Sequence, residues 1–563
     1  MKIHLVLDYQ DNTNISKDDV VIITPFNHGV SFDCNKVIIA DSSIVSLDSE
    51  LRDNVIDFYN SIPSKYSTTQ NVIYDRVLKP IYAVIAIIDN HLNVTKDCDI
   101  VLYGGSDYTF VTTVGGEGEG YRKNFQLNWM VNAIIYHTYC NNHHIIWENK
   151  ENTALLKIKN YIRWRRQYLK VVISHLKQSL YYLGVKHKNP LFLSKYVSII
   201  DLPLQFNNLD RLLRGTSADN IVYLAMNPLC CEVLKNKGRP FCAVPPLSFR
   251  EIVSIVFRNS ISRNEKKKIK IPQLGLSLTP LIREIQYCYF VYEARLRRLL
   301  AVCNNVFDKN NLKTLVTSYT VGNDIVSAHN LAKQMSLKHI NFQGVTMGRI
   351  LYPELELADE YFLYSKKTFD CYKKYSDSYK FYLPIFQNNR KEQHAGLILT
   401  LFLQPDSYVY DYFPYIEWLS SKNWCQYNLT IVIKPHYRQN ELNTICEMVI
   451  NNPSIRVADK MEDCSELINK TDIAVSMHSS VLFESMASGV LTIVYNPNGK
   501  YDNEVYNEDI CFSEVNNVIT QAEQTLQFVD NYSHYMSLFN KKREDFIRQN
   551  GGLSDINQVF EAV

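Results

Sequence analysis

Short apolar runs alternate with helix-like segments along the last third of the chain. Runs fit for buried strands lie at 397–403, 429–433, 454–457, 472–476 and 491–495. Helical patterns separate several of them, at 410–420, 464–469 and 481–488. Strands that alternate with helices at this spacing predict a parallel, doubly wound sheet. Ligands of such sheets bind beyond the carboxyl ends of the strands.

A second unit of the same kind lies upstream. Its pattern predicts a strand at 314–318, an amphipathic helix at 324–335 and a strand at 339–342. We expect this βαβ unit to close a first lobe. A polar stretch at 387–393 predicts a crossover to a second lobe. Three domains are therefore predicted. Residues 1–390 form an N-terminal lobe with helical insertions, and residues 391–530 form a C-terminal ligand-binding lobe. Residues 531–563 form a last helix that packs back on the lobes.

The first 300 residues give weaker patterns. Residues 2–7 and 99–103 are typical of parallel strands, and 155–188 predicts one or two basic helices. The basic side chains of these helices are Lys157, Lys159, Arg163, Arg165, Arg166, Lys170 and Lys177. Three interpretations stay open for this stretch: a contact with an anionic membrane, a grip on an anionic acceptor, or a solvated helix face.

Composition narrows the class of protein. A chain of 563 residues suggests two or three domains, and a formal net charge of +2 gives no general attraction to nucleic acid. No window holds 18 uncharged apolar residues, and the N-terminus lacks the apolar core of a signal peptide. Thirteen cysteines without a CxxC pair favour reduced thiols. We expect a soluble cytoplasmic protein, with peripheral contact at the inner membrane left open.

The most specific motif runs from Ser476 to Gly489, SMHSSVLFESMASG. A strand is predicted to end at Ser476 and a helix to begin near Ser479 or Ser480. The serine hydroxyls and free backbone amides would then cluster at the N-terminus of this helix, with His478 beside them. Such a terminus suits an anionic phosphate. Glu484, one turn into the helix, would reach a ribose diol. The alternative is ordinary helix capping by the serines.

A second motif, IKPHY, ends the strand predicted at 429–433. It places Lys434 and His436 at the carboxyl end of a parallel strand. Either side chain would donate a hydrogen bond to a phosphate or to a leaving group.

Together the two motifs resemble bacterial GT-B glycosyltransferases that use CMP-activated sugars, namely sialyltransferases, polysialyltransferases and Kdo transferases. The resemblance covers about 220 residues. It implies an α/β fold of the GT-B type, with two Rossmann-like lobes, parallel sheets and an enlarged N-terminal lobe. It also implies that His436, Ser479 and Ser480 hold the CMP phosphate. Tyr437 stands where those enzymes usually have proline.

Two further elements concern the N-terminal lobe. The glycine-rich loop VGGEGEGY at 114–121 carries Glu117 and Glu119, and loosely resembles the acidic element that supplies the base in some sialyltransferases. The alternative is a solvated turn with two exposed acids. The segment NFQGV at 341–345 resembles the Gln-His-Gly turn of several surface-polysaccharide transferases, but lacks the histidine.

A metal site is not predicted. Asp97 and Asp99 fit the Asp-x-Asp pattern of metal-dependent transferases, yet they precede a strand, whereas a metal-binding element normally follows one.

The sequence therefore predicts a glycosyltransferase that moves a sialic-acid-like or Kdo-type sugar from a CMP donor to a glycan or glycolipid acceptor of a capsule, lipopolysaccharide or O-antigen. No cofactor beyond the donor and no nucleic-acid partner are expected. Three alternatives stay open: a CDP-glycerol-type phosphotransferase, a GT-B glycosyltransferase with another nucleotide-sugar donor, and a non-catalytic subunit for glycan assembly.

Overall fold

Parallel sheets dominate the fold in a computed structural model of the chain. The structure describes residues 1–6, 15–23, 34, 36–39, 88, 98–103, 135–136, 139–148, 162, 165–166, 169–170, 173, 192–201, 203–213, 216, 218–258, 279–308, 310–318, 323–343, 358–373, 376–382, 396–404, 409–437, 439–477, 479–496, 513–515, 518–550 and 559–560.

The first sheet has five parallel strands in the order β3-β2-β1-β4-β5. Its strands are β1 Lys2–Val6, β2 Val20–Ile23, β3 Lys36–Ile39, β4 Asp99–Tyr103 and β5 Ile145–Glu148. His4 is buried in β1 between the Asp19 carboxylate, at 3.1 Å, and the Tyr103 hydroxyl, at 2.7 Å. Asp19 also accepts backbone N–H groups of Lys2 at 2.7 Å and Ser16 at 2.9 Å. A buried polar cluster therefore fixes the entry of β2 beside β1.

The second sheet has seven strands in the order β12-β11-β10-β9-β6-β7-β8. These strands are β6 Tyr196–Ile200, β7 Val222–Ala225, β8 Phe241–Ala243, β9 Thr314–Thr317, β10 Lys338–Phe342, β11 Glu360–Leu363 and β12 Tyr379–Phe381. Helices alternate with them as α1 Pro203–Leu213, α2 Pro228–Asn236, α3 Phe249–Arg258, α4 Thr279–Val306, α5 Asn323–Met335 and α6 Lys366–Lys373.

The third sheet has six parallel strands in the order β15-β14-β13-β16-β17-β18. These strands are β13 Leu397–Phe402, β14 Leu429–Lys434, β15 Ile455–Val457, β16 Ile473–Ser476, β17 Leu491–Tyr495 and β18 Ser513–Val515. Its helices are α7 Val409–Ser420, α8 Leu442–Val449, α9 Cys464–Lys470, α10 Val481–Ala487, α11 Val518–Asp530 and α12 Tyr532–Gln549. The central strands are buried on both faces, as their continuous apolar runs predict.

The predicted fold class is confirmed. The chain is an α/β protein with Rossmann-like parallel sheets, the architecture that the GT-B resemblance implies, and its first sheet accounts for the enlarged N-terminal part. The strands and helices predicted at 314–342 and 397–495 are present within two residues of their predicted bounds. Two further strands, β11 and β12, follow β10 at the same edge of this sheet.

The chain divides into two compact units, the first formed by the described residues up to Tyr361 and the second by those from Phe362 onward. The crossover predicted at 387–393 lies outside the described residues, so the boundary at 390 stays a prediction. A helix is present within 531–563, as predicted; it is α12, and α11 ends just before it at Asp530. No helix among the described residues is both long and apolar enough to cross a membrane.

Candidate functional site

The carboxyl edge of the third sheet collects the residues that the two motifs single out. In the parallel register, Leu401 of β13 pairs with Ile433 of β14 on one side and with Val475 of β16 on the other. The residues that follow these strands therefore leave the sheet at one edge. The chain runs outward from β13 first through β14 and β15, and then through β16 and β17. This reversal is the topological switch point at which open α/β sheets bind ligands.

His436 lies two residues beyond β14, in a turn at this edge. Its carbonyl oxygen accepts the backbone N–H of Gln439 at 2.8 Å, which closes the turn. The imidazole packs on the Tyr437 ring, with 4.4 Å between the ring centroids, and both residues are partly exposed. The turn therefore holds the imidazole within reach of solvent and of a ligand, although Tyr437 replaces the expected proline.

Ser479 and Ser480 precede α10 and differ in what their hydroxyls do. The Ser479 Oγ accepts the backbone N–H of Val481 at 3.3 Å, which is a capping contact. Ser480 is the N-cap residue, but it has helical dihedral angles and its side chain makes no capping hydrogen bond. Ordinary capping thus explains Ser479 and leaves the Ser480 hydroxyl unexplained. His478, between these serines and β16, lies outside the described residues.

Glu484 lies one turn into α10, as predicted. Its backbone N–H donates to the Ser480 carbonyl at 3.3 Å, and its side chain is partly exposed. The helix then ends at Gly489, whose φ of +75° is a left-handed conformation that favours glycine. Glu484 therefore lies in the first turn of the short helix that the two serines precede.

Lys434 is placed differently from the phosphate-binding role predicted for it. Its side chain is buried, and the Nζ donates to three backbone carbonyls, those of Pro435 at 3.1 Å, Asp459 at 3.1 Å and Lys460 at 2.7 Å. An ammonium group has three donors, so these contacts use all of them. Burial lowers the pKa of Lys434, against the opposing effect of nearby acidic groups. This geometry favours a structural role, in which Lys434 ties the 459–460 loop to the end of β14.

Gln439, at the end of the His436 turn, has a buried carboxamide without a partner. The residue is 3% exposed, and neither its Oε1 nor its Nε2 makes a hydrogen bond. A buried amide in this state costs about 1–3 kcal/mol. A buried group of this kind at the carboxyl edge of the sheet makes Gln439 a candidate for contact with a ligand. Sequence patterns gave no signal for Gln439, because its burial depends on the turn.

Beneath the edge, a buried hydrogen-bond network joins β13, β16 and α7. The Ser476 hydroxyl donates to the Phe402 carbonyl at 2.7 Å, and the Tyr412 hydroxyl accepts the Met477 N–H at 3.0 Å. Tyr412 also donates to the Phe402 carbonyl at 3.2 Å. Burial raises the pKa of Tyr412, so it stays a neutral donor. The network fixes the end of β16, from which the serine pair begins.

Two predicted elements of the N-terminal lobe are located only in part. Glu117 and Glu119 lie outside the described residues, as does Asp97. Asp99 is the first residue of β4, and its carboxylate lies 3.2 Å from the exposed His144 Nδ1. Among the described residues, no group of three or more His, Cys, Asp or Glu side chains is arranged to hold a metal ion.

The NFQGV segment begins with the last two residues of β10, Asn341 and Phe342, both of which are buried. Asn341 accepts a hydrogen bond from the Thr317 hydroxyl at 2.7 Å, and that hydroxyl also lies 2.9 Å from the His339 Nε2. Gln343 is buried at the end of the strand. Residues 344 and 345 lie outside the described part of the chain.

Part of the carboxyl edge of the second sheet is occupied by arginines of α4. Arg295 forms a bidentate pair with Asp201, which follows β6. Arg298 donates to carbonyls beyond β7 and β8, those of Met226 at 3.1 Å, Val244 at 2.8 Å and Pro245 at 2.8 Å. Sequence reasoning missed this arrangement, because two arginines in a long helix normally indicate a solvated face.

Comparison with known proteins shows similarity of fold to several solved structures. No family model matches the sequence, and no curated protein matches it. Among solved structures, the UDP-GlcNAc 2-epimerase from Neisseria meningitidis bound to UDP-GlcNAc is similar at a TM-score of 0.40 and 11% identity, covering 61% of this chain and 93% of that one. Anabaena Alr3699/HepE in complex with UDP and glucose is similar at a TM-score of 0.41 and 9% identity, covering 66% and 98%. The calicheamicin glycosyltransferase CalG4 is similar at 0.39 and 11%, covering 66% and 98%. At these TM-scores the similarity decides neither the donor nor the reaction.

Proposed function

We propose that the chain is a GT-B glycosyltransferase that transfers a sialic-acid-like or Kdo-type sugar from a CMP donor to a surface glycan. The observation that supports this most is the placement of His436 and of Ser479 with Ser480 on either side of β13, at one carboxyl edge. The ends of β14 and β16 are two strand spacings apart, or about 10 Å. A phosphate above the end of β13 would therefore be reached from both sides.

The leaving group determines what these residues do. When the bond between the sugar and the phosphate oxygen breaks, its electron pair stays on CMP, which departs as a phosphate monoester. Hydrogen bonds from the His436 imidazole and from the Ser480 hydroxyl would stabilise the charge that develops on that phosphate. The unpartnered Gln439 carboxamide would supply a further donor and acceptor to the nucleotide. In this role the protein groups replace a metal ion, and no metal is proposed.

The acceptor side completes the reaction. The acceptor hydroxyl oxygen forms the new bond to the sugar, and its proton passes to a general base. Glu119, or else Glu117, is proposed as that base in an inverting reaction. The acceptor is proposed to be a glycan or glycolipid of a capsule, lipopolysaccharide or O-antigen.

Thermal-shift measurement against free nucleotides tests the donor class. We expect CMP to raise the melting temperature more than UDP or GDP, because a single phosphate close to α10 is the group that the edge recognises. Ligand binding at 100 times Kd stabilises a protein by about 2.7 kcal/mol, which is readily measured. Ser480→Ala should weaken the response to CMP, whereas Ser488→Ala, at the opposite end of α10, should leave it unchanged.

The other outcomes separate the alternatives. Stabilisation by UDP or GDP, without a response to CMP, would contradict the CMP donor and favour a GT-B enzyme with another nucleotide sugar. A stronger response to CDP than to CMP would favour a CDP-glycerol-type phosphotransferase. A protein that responds to no nucleotide would be a non-catalytic subunit.

A further inference from the structure

The described residues between 162 and 173 form an exposed helical surface that the proposed reaction does not use. All six are helical, and they are Ile162, Arg165, Arg166, Leu169, Lys170 and Ile173. Three are large aliphatic side chains with much of their surface in solvent, at 60% for Ile162, 56% for Leu169 and 42% for Ile173. Exposed aliphatic side chains that cluster in this way need an explanation, although single ones do not.

At α-helical spacing, the three aliphatic residues fall on one face. With 3.6 residues per turn, Leu169 and Ile173 each fall within about 20° of Ile162. These three residues form an apolar stripe. The basic residues flank it, because Arg165, Arg166 and Lys170 fall within about 80° of Ile162 on either side. We call these six residues the basic stripe.

The charge around the basic stripe is strongly segregated. Between Glu151 and Asp201 the sequence has ten Lys and Arg residues and no Asp or Glu. The rest of the chain holds 50 of the 60 basic residues and all 58 acidic ones, so it is net acidic. A nearly neutral protein thus has a locally cationic segment, and the six described residues of it between 162 and 173 are exposed.

We propose that the basic stripe is a docking surface for an anionic lipid bilayer. An exposed apolar stripe with flanking Arg and Lys matches both layers of a membrane interface, since the aliphatic groups enter the acyl boundary while the cations meet the lipid phosphates. A soluble polyanion, such as an anionic glycan or RNA, would use the cations but has no hydrocarbon for the aliphatic side chains. The aliphatic stripe therefore favours the membrane.

Vesicle co-sedimentation of the full-length protein tests this surface. The probes are vesicles of phosphatidylcholine alone and vesicles with a third of phosphatidylglycerol, at low and high salt. We expect binding to the anionic vesicles only, and weaker binding at high salt. Each basic residue at an anionic surface contributes about fivefold in partitioning. The triple variant Arg165→Gln, Arg166→Gln, Lys170→Gln should therefore bind roughly 100-fold more weakly.

The aliphatic variant distinguishes a bilayer from a soluble polyanion. Ile162→Ser, Leu169→Ser and Ile173→Ser together should reduce vesicle binding at least tenfold and leave binding to heparin unchanged. The matched control replaces Leu229, Ile450 and Leu538, which are exposed at 50%, 77% and 43%, by serine. Lys235→Gln, Lys237→Gln and Lys541→Gln form the charge control, because these lysines are exposed elsewhere. Both controls should bind vesicles like the wild type.

Three results would overturn the proposal. The first is binding to heparin but not to anionic vesicles, which indicates a polyanion site. The second is wild-type vesicle binding by both stripe variants. The third is a concentration-dependent dimer, seen by light scattering, in a protein that does not bind vesicles. If the aliphatic variant abolished that dimer, the stripe would join two copies of the chain.

Discussion

Two buried side chains at the carboxyl edge of the third sheet differ in whether their polar atoms have hydrogen-bond partners in the fold. Lys434 is fully used, because its three donors meet three carbonyls. Gln439 is unused, because both polar atoms of its buried amide lack partners. A residue that costs stability while the site is empty is expected where function selects it. This contrast makes Gln439 the sharpest test of the edge.

Gln439→Met should raise stability and weaken nucleotide binding. Methionine has a similar volume and removes an unsatisfied buried amide, so the unfolding free energy should rise by about 1–3 kcal/mol. Loss of the ligand's hydrogen bonds should weaken CMP binding about tenfold. Thermal denaturation with and without CMP measures both effects.

The matched control is Asn452→Leu, in the turn between α8 and β15. The Asn452 amide donates to the Ser420 and Lys422 carbonyls, at 3.0 and 2.7 Å, so its removal should destabilise the protein. If Gln439→Met lowered the melting temperature as Asn452→Leu does, Gln439 would have a structural role and the inference from its empty partners would be wrong.

His436 and the serine pair should affect different steps. His436→Ala should lower the transfer rate by roughly 10²-fold, the scale reported for loss of one donor to a developing negative charge. Ser479→Ala with Ser480→Ala should mainly raise the dissociation constant for CMP. Steady-state kinetics and calorimetric titration separate the two effects. Near wild-type rates in both variants would place the donor site elsewhere.

At the scale of elements, agreement with the sequence follows burial. The central strands of the third sheet are covered on both faces, so β13, β14, β16 and β17 are continuous apolar runs. Such runs can be identified as buried strands from the sequence alone. In the first sheet, β1 and β4 are present as predicted, although β1 contains the buried His4. Strands β6 to β8 were not predicted, although β6 and β7 are buried throughout. The long helix α4 was not predicted either, and its buried arginines Arg295 and Arg298 bind partners distant in sequence.

At the candidate site, positions set by local sequence pattern were predicted, and contacts between residues distant in sequence were not. The sequence placed His436, Ser479, Ser480 and Glu484 at the end of their strands or in the first turn of a helix, because those positions follow from local pattern. It did not reveal that the Lys434 ammonium group donates to the backbone carbonyls of residues 459 and 460, which are 25 and 26 residues away. The Tyr412 hydroxyl, which reaches Met477 across 65 residues, is another long-range contact.

The polar cluster between β1 and β2 makes a prediction about acid sensitivity. Burial alone would raise the pKa of Asp19, but hydrogen bonds from Ser16, Lys2 and His4 lower it overall. A carboxylate with a lowered folded pKa stabilises the native state above its unfolded pKa of about 3.9, and this stabilisation is lost as pH falls through the folded value. Protection of β1 and β2 amides from hydrogen exchange should therefore decrease below about pH 4.

Asp19→Asn should remove this pH dependence and weaken protection of both strands at neutral pH, by about 1–3 kcal/mol. Asp18→Asn, at the exposed neighbouring position, is the control and should behave like the wild type. An unchanged exchange profile in Asp19→Asn would show that the cluster does not hold β2 beside β1.

At the scale of the whole molecule, donor binding and catalysis are assigned to distant parts of the sequence. The proposed nucleotide-binding edge belongs to the third sheet, which begins at Leu397, whereas the proposed base lies in the glycine-rich loop at 114–121. Removal of the base should therefore affect transfer without affecting the nucleotide. A variant at the nucleotide edge should instead affect both. This difference separates a two-part enzyme from one whose chemistry lies wholly at the third sheet.

Glu119→Gln should abolish transfer and leave the CMP dissociation constant unchanged, because glutamine keeps the shape of the side chain but cannot accept the proton of the acceptor hydroxyl. Glu117→Gln is the matched comparison in the same loop and should retain most of the activity if Glu119 is the base. Activity with an acceptor glycan and calorimetry with CMP measure the two quantities. Full activity in both variants would make the loop structural, and a retaining reaction with a different carboxylate would then account better for the chemistry.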